Sequence, residues 1–121
     1  MTRFLIVCGA GGLGCGIRYL IGLWIGARSF PYATLAVNVI GCFLMALVME
    51  MVLRVGSVPL NVRLALTTGF MGGLTTYSAF NFETTALASD STWRAVLYVG
   101  VTLIGCLLAG VLGMWLARRM S

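Results

Sequence analysis

Three residues in this chain carry chemistry that their surroundings do not invite. Arg18, Asn38 and Glu83 each interrupt a long apolar run. A charged side chain at the centre of a membrane helix costs about 2.5–3.5 kcal/mol on insertion scales, so each asks for a reason. Arg18 can snorkel to the interface, or hold an anion-attracting charge in a water-filled vestibule. Asn38 offers two amide N–H donors, either to a neighbouring helix or to a passing anion. Glu83 is the only carboxylate deep in its run. Glu50 lies near the end of a run and precedes Arg54 by one helical turn, the spacing of an interfacial ion pair.

The stretch Thr67–Ser78 reads TTGFMGGLTTYS, with 3 Gly and 4 Thr among 12 residues, which makes poor helix. A break at membrane depth is tolerated only where the backbone is buried in protein or lines a cavity. Broken helices there expose carbonyls that bind cations and N–H groups that favour anions. An ion site is therefore expected around Gly72–Thr76; a plain Gly/Thr packing seam is the simpler reading. Beyond it, Tyr77 and Phe80 share one helix face, and Ser78, Asn81 and Thr85 share a second, polar one. The aromatic pair alone suits packing; beside a polar stripe and a break it suits a pore wall.

These residues need elements to position them. Of the 121 residues, 60% are hydrophobic and 9% charged, against roughly 45–50% and 25% in a soluble domain. Mean hydropathy is +1.03. Both a soluble globule and a disordered chain are excluded, leaving an integral membrane protein with no room for a separate soluble domain. A single all-α domain, 1–121, is expected, with four spans at Phe4–Gly26, Tyr32–Leu53, Leu64–Ala88 and Ala95–Ala117. Each is long enough to cross about 30 Å of hydrocarbon. Ser89, Asp90 and Ser91 are candidate N-caps for the last span. The first run is too long, and has no small-residue cleavage site, to read as a signal peptide. Trp24, Tyr32, Trp93 and Trp115 mark the interfaces. The positive charges, all Arg, are scattered at segment ends rather than gathered in a stripe, which argues for topology and anionic lipid, not nucleic acid. Arg3, Arg54, Arg63, Arg118 and Arg119 fall on the side of both termini, Arg28 and Arg94 on the other. That bias favours termini in the cytoplasm.

Two tempting motifs fail. Gly9, Gly11 and Gly14 spell GxGxxG after an apolar run, yet no acidic residue follows at the dinucleotide-binding distance and no strand–helix alternation appears. The glycines read better as close-packing positions, as in Gly12-x-x-x-Gly16, Gly22-x-x-x-Gly26, Gly105-x-x-x-Ala109 and Ala109-x-x-x-Gly113. Cys8, Cys15, Cys42 and Cys106 form no CxxC pair and read as buried free thiols; without His, zinc is not expected. An enzyme is excluded, with no catalytic residues, because no nucleophile–base constellation exists.

The motifs Gly11-Gly-Leu-Gly14 with Arg18-Tyr19, Thr34-Leu-Ala-Val-Asn38-Val-Ile-Gly41 and Gly69-Phe-Met-Gly-Gly-Leu-Thr-Thr-Tyr-Ser-Ala-Phe80 with Glu83 resemble the CrcB/Fluc family of small fluoride channels, along essentially the whole chain. The resemblance implies an antiparallel, dual-topology homodimer in the bacterial inner membrane, with two pores passing fluoride passively to export it from the cytoplasm. It implies a structural sodium ion at the dimer centre, held by backbone carbonyls at positions matching Gly72 and Thr75. It implies a third helix broken at mid-membrane. The pore phenylalanines correspond to Tyr77 and Phe80, the pore Asn to Asn38 and the vestibule Arg to Arg18. A polar track corresponds to Ser78, Glu83 and Thr76, and fourth-span positions to Tyr98, Thr102 and Cys106. Tyr77 stands where Phe is commonest in the family, Ala79 and Asn81 replace hydroxylated residues, and Cys106 replaces a hydroxyl.

Two rivals share this anatomy. A small proton-coupled multidrug exporter needs a carboxylate in its first span, where this chain has Arg18 instead. A non-conducting accessory subunit is the other. The arginine asymmetry also allows an oppositely oriented paralogous partner in place of a second copy.

Overall fold

A computed structural model describes residues 1–120, and these fold as helices with no strand among them. Helix α1 spans Thr2–Ile25 and α2 spans Tyr32–Val55. Each ends at a glycine with positive φ: Gly26 at 71° and Gly56 at 67°. Gly56 closes α2 with its N–H on the Val52 carbonyl at 3.1 Å, an arrangement a left-handed residue without Cβ makes cheaply. Pro59, which cannot extend a helix behind it, then precedes α3, Leu60–Leu64.

The third segment is composite. α3 runs into a π-helical stretch, Ala65–Met71, and then a single turn, α4, Gly72–Leu74. Thr75 and Thr76 are extended, with φ/ψ of −86°/155° and −152°/118°, before α5 resumes at Tyr77–Asp90. The π stretch was not foreseen from the sequence; the glycine- and threonine-rich composition gives the helix little to hold a regular pitch. Thr67 and Thr75 both turn their hydroxyls back onto carbonyls one turn earlier, those of Arg63 and Met71, at 2.8 and 2.9 Å.

Helix α6, Thr92–Met120, follows after Ser91 alone. The expected connection from Ser89 to Arg94 is thus mostly helical. Ser89 bonds its own helix at the Ala86 carbonyl, Asp90 pairs with Arg94, and only Ser91 sits at the junction. Helices α1, α2 and α6 are each long and apolar enough to cross a membrane.

Packing rests on glycine in two places. Gly14 of α1 lies so close to Phe70 and Leu74 that a Cβ there would run into the Phe70 carbonyl oxygen. Gly73 stands in the same relation to the Gly11 carbonyl, and a Cβ on Gly69 would come 2.7 Å from that of Ala10. Backbone meets backbone along this seam, the use small residues have inside membranes. On the other side α2 packs most extensively against α6, with Gly113 against the Phe43 carbonyl and Gly105 near Val39. Gly12, Gly16, Gly22 and Gly26, expected to serve the same purpose, meet nothing within 4 Å of an added Cβ. The GxGxxG run therefore works through Gly11 and Gly14, at a helix–helix contact and not at a phosphate.

Two apolar clusters form the interior. Val37, Met71 and Leu74 join α2 to the third segment, and Phe80, Leu87, Ala95 and Tyr98 join α5 to α6. The cysteines differ from expectation: Cys8 and Cys15 are exposed on α1, and Cys42 and Cys106 are half-buried. Trp24 is 87% exposed and Leu107 72%, with many apolar neighbours alike. So much exposed apolar surface fits lipid or another chain, not water.

Candidate functional site

The break at Thr75–Thr76 is held open by one side chain from α2. The amide of Asn38, almost fully buried, donates from Nδ2 to the Thr76 carbonyl at 3.1 Å and accepts from the Thr76 N–H at 2.9 Å. It thus replaces both bonds that Thr76 would make in a continuous helix. Thr76 in turn caps α5, its Oγ1 accepting from the Ala79 N–H at 3.3 Å and lying 3.3 Å from the Ser78 hydroxyl. Gly41, one turn after Asn38, leaves room for the Thr75 methyl, which a Cβ would strike.

These bonds change which carbonyls are engaged. In an unbroken helix the Thr76 N–H would serve the Gly72 carbonyl, and the Ala79 N–H that of Thr75. Here the first goes to Asn38 Oδ1 and the second to Thr76 Oγ1. Gly72 and Thr75 are thereby relieved of those partners, and carbonyl oxygens so released are the ligands that hard cations take. The Gly73 carbonyl between them accepts from Arg18 Nε at 3.1 Å. Arg18 is therefore anchored against the break rather than snorkelling freely; its Nη2 also lies 3.7 Å from Cys15 Sγ.

One turn beyond Phe80, the Glu83 carboxylate takes two hydroxyl donors. Thr34 donates to Oε1 at 2.7 Å and Tyr98 to Oε2 at 2.8 Å. Tyr98 is fully buried, and its ring links a file of aromatics. Tyr77 and Phe80 stand 5.7 Å apart between centroids, Phe80 and Tyr98 5.2 Å, and Tyr98 and Phe30 5.4 Å in an edge-on contact. Phe80 is buried within this file, while Tyr77 is 76% exposed.

Two cavities flank it. One, of about 660 Å³, is lined by Asn38, Thr75, Thr76, Tyr77, Phe80 and Thr102, among others. The second, about 490 Å³, is lined by Thr34, Glu83, Asp90, Arg28 and Arg94. The first holds unspent donors. Asn38 has a second amide N–H, and the buried Thr102 hydroxyl has no hydrogen-bond partner among the described residues. Of the residues singled out in the sequence, Asn38, Thr75, Thr76, Tyr77, Phe80 and Thr102 thus meet at one cavity and Glu83 at the other. Tyr98 is buried beside Phe80 and Glu83, Ser78 is exposed beside Thr76, and Arg18 lies against Gly73, towards α1. Thr34 was not singled out as a site residue. Its place one turn before Asn38, hence on the same helix face, is the signal that points to it.

At the far end, Glu50 binds Arg54 at 3.1 Å, as its spacing implied, and also Arg118 at 2.9 Å. At the other end Arg94 pairs with Asp90 at 3.3 Å and reaches the Ser29 carbonyl.

Comparison with known proteins agrees in extent with this geometry. Residues 5–114 match the family model described as CrcB-like protein, Camphor Resistance (CrcB). A protein of Geobacter metallireducens named fluoride-specific ion channel FluC is 45% identical over 99% of this chain and 100% of its own length. A protein of the same name from Sorangium cellulosum is 45% identical over 99% of this chain and 98% of its own. One from Citrifermentans bemidjiense is 40% identical over 99% and 100%.

Proposed function

Because this chain belongs to the CrcB family, whose matched members are named ion channels and not enzymes, we propose that it is a passive, fluoride-selective channel of the bacterial inner membrane, exporting fluoride from the cytoplasm. The observation that carries the reading is the pair of unspent donors, Asn38 Nδ2 and Thr102 Oγ1, in an otherwise apolar cavity closed by Phe80. A buried hydroxyl left unpaired costs about 1–3 kcal/mol. A small anion passing through the cavity repays that cost.

Fluoride holds its water tightly, so a selective path must supply donors where water is stripped. In this reading Asn38 and Thr102 supply them in the first cavity, with the Tyr77 and Ser78 hydroxyls at its edge. Phe80 and Tyr77 add the positive rims of their rings, which tolerate an anion edge-on without admitting water. The ion then passes Phe80 towards Glu83, whose hydroxyl partners Thr34 and Tyr98 can turn from the carboxylate to the ion. A file this narrow discriminates against chloride by size and donor spacing. Arg18 raises the local anion concentration near the break.

The assembly in this reading is an antiparallel homodimer with two such paths. The released carbonyls of Gly72 and Thr75 fit a sodium ion, which takes oxygen ligands, at the centre of that dimer. When bound, the ion supplies a fixed positive charge and ties the two broken segments together. The third segment is then broken at mid-membrane.

Fluoride efflux from liposomes carrying the purified protein, followed with a fluoride electrode and with chloride as the control, tests this. Rapid fluoride loss without chloride loss is expected, and Phe80→Ile is expected to abolish it while the protein stays folded and assembled. Unchanged flux through Phe80→Ile would remove Phe80 from the path. No flux from folded wild-type protein would reject the channel in favour of an accessory role.

A further inference from the structure

The larger cavity has a second chemical character that anion passage does not use. Six of its lining residues carry sulfur: Cys42, Met45 and Met49 from α2, Met71 from the π stretch, and Cys106 and Met114 from α6. The thiols of Cys42 and Cys106 face the same space and interact with one another. Met45 lies one turn beyond Cys42 on the same face of α2. Among the described residues no three His, Cys, Asp or Glu side chains cluster, so a four-ligand zinc cage is not on offer. A soft d¹⁰ cation needs no such cage. Thiolate and thioether sulfurs are its preferred ligands, and two thiolates in line satisfy it.

We propose that Cys42 and Cys106 form a binding site for a thiophilic cation, such as Hg²⁺ or Ag⁺, with Met45 as the adjoining thioether donor, and that the bound ion obstructs the cavity. With Hg²⁺ each thiol releases its proton to solvent as a sulfur–mercury bond forms. Two protons leave, one ion binds, and no electron is transferred. The site lies between the two helices that pack most extensively, so the second thiol is presented at high effective concentration. The obstruction rests on the fluoride-channel reading; the binding does not.

The test uses full-length protein in which the exposed thiols are removed by Cys8→Ser and Cys15→Ser. Hg²⁺ is titrated while the sulfur–mercury absorption in the ultraviolet is followed, and free thiols are counted afterwards in denaturant. One ion per chain, consuming both thiols together, is expected. Cys42→Ala and Cys106→Ala, made singly in this background, are each expected to weaken binding ~10²-fold. Two ions per chain, or single variants that bind as tightly as the parent, would overturn the site. Fluoride efflux is measured on the same samples. One equivalent of Hg²⁺ is expected to stop it in the parent and to leave it running in the single variants. An ion bound as described with efflux undiminished would keep the site, refute the obstruction, and show that fluoride does not use this cavity. Absent efflux before any mercury is added would instead count against the channel reading alone, since the titration is read without it.

Discussion

Asn38 carries more of this structure than any other polar residue, because it meets both backbone groups of Thr76. Asn38→Ala leaves a buried N–H and a buried carbonyl unpaired, and is expected to destabilise the protein by about 1–3 kcal/mol for each group. Unfolding by added sodium dodecyl sulfate, followed by helicity, measures it. Tyr98→Phe is a milder probe. It removes one of the two donors to Glu83 and leaves the Thr34 bond in place, so a single cost of about 1–3 kcal/mol is expected by the same measurement. A Tyr98→Phe protein as stable as wild type would show that the Glu83 oxygen finds another donor.

At the scale of elements, the glycines divide into those that touch another backbone and those that do not. Gly14→Ala would drive a methyl into the Phe70 carbonyl and the Leu74 N–H, which cannot move aside as a side chain can. A loss of about 1–3 kcal/mol or more is expected, seen as early aggregation on heating in detergent. Gly12→Ala, two residues away with open space around it, is expected to match wild type or exceed it, since alanine favours helix by about 0.8–1.0 kcal/mol. Equal behaviour of the two variants would remove the seam as a determinant of folding. Sequence patterns could say that α1 holds close-packing glycines, but not which ones. That choice depends on the rotation of α1 about its axis, set by Phe70 and Leu74 many residues later. The break near Thr75 was readable because poor helix formers cluster there. Its clamp was not, because nothing local to Asn38 reveals that it bonds Thr76 rather than a neighbouring helix. The partnership of Glu83 with Thr34 was hidden for the same reason, each lying in a different segment. The one-residue link at Ser91 was missed because serine and aspartate are common both in loops and at helix ends.

For the whole molecule, the bonds of Glu50 to both Arg54 and Arg118 bring the ends of α2 and α6 to one side. That side bears the termini and five of the seven arginines that lie outside the apolar runs, as counted from the sequence. The bias is real yet modest, since short loops carry it and carboxylates offset it little. Insertion in both orientations is expected, with roughly half of the molecules showing the C-terminus on each face of the membrane. Protease access to a C-terminal tag, in sealed vesicles and then in opened ones, reads this. A C-terminus confined to one face would replace the second copy with an oppositely oriented partner chain.

The π stretch at Ala65–Met71 carries a consequence for how this segment tolerates change in length. A π turn is an α turn that has absorbed one additional residue. Removing one residue from the stretch would relax it to ordinary pitch and swing everything downstream by about 100° around the axis. Leu74 would leave Gly14, Gly73 would leave Arg18, and Thr76 would turn from Asn38. The irregular stretch thus sets the phase of the broken segment, and a deletion in it would act at a distance on residues it never touches.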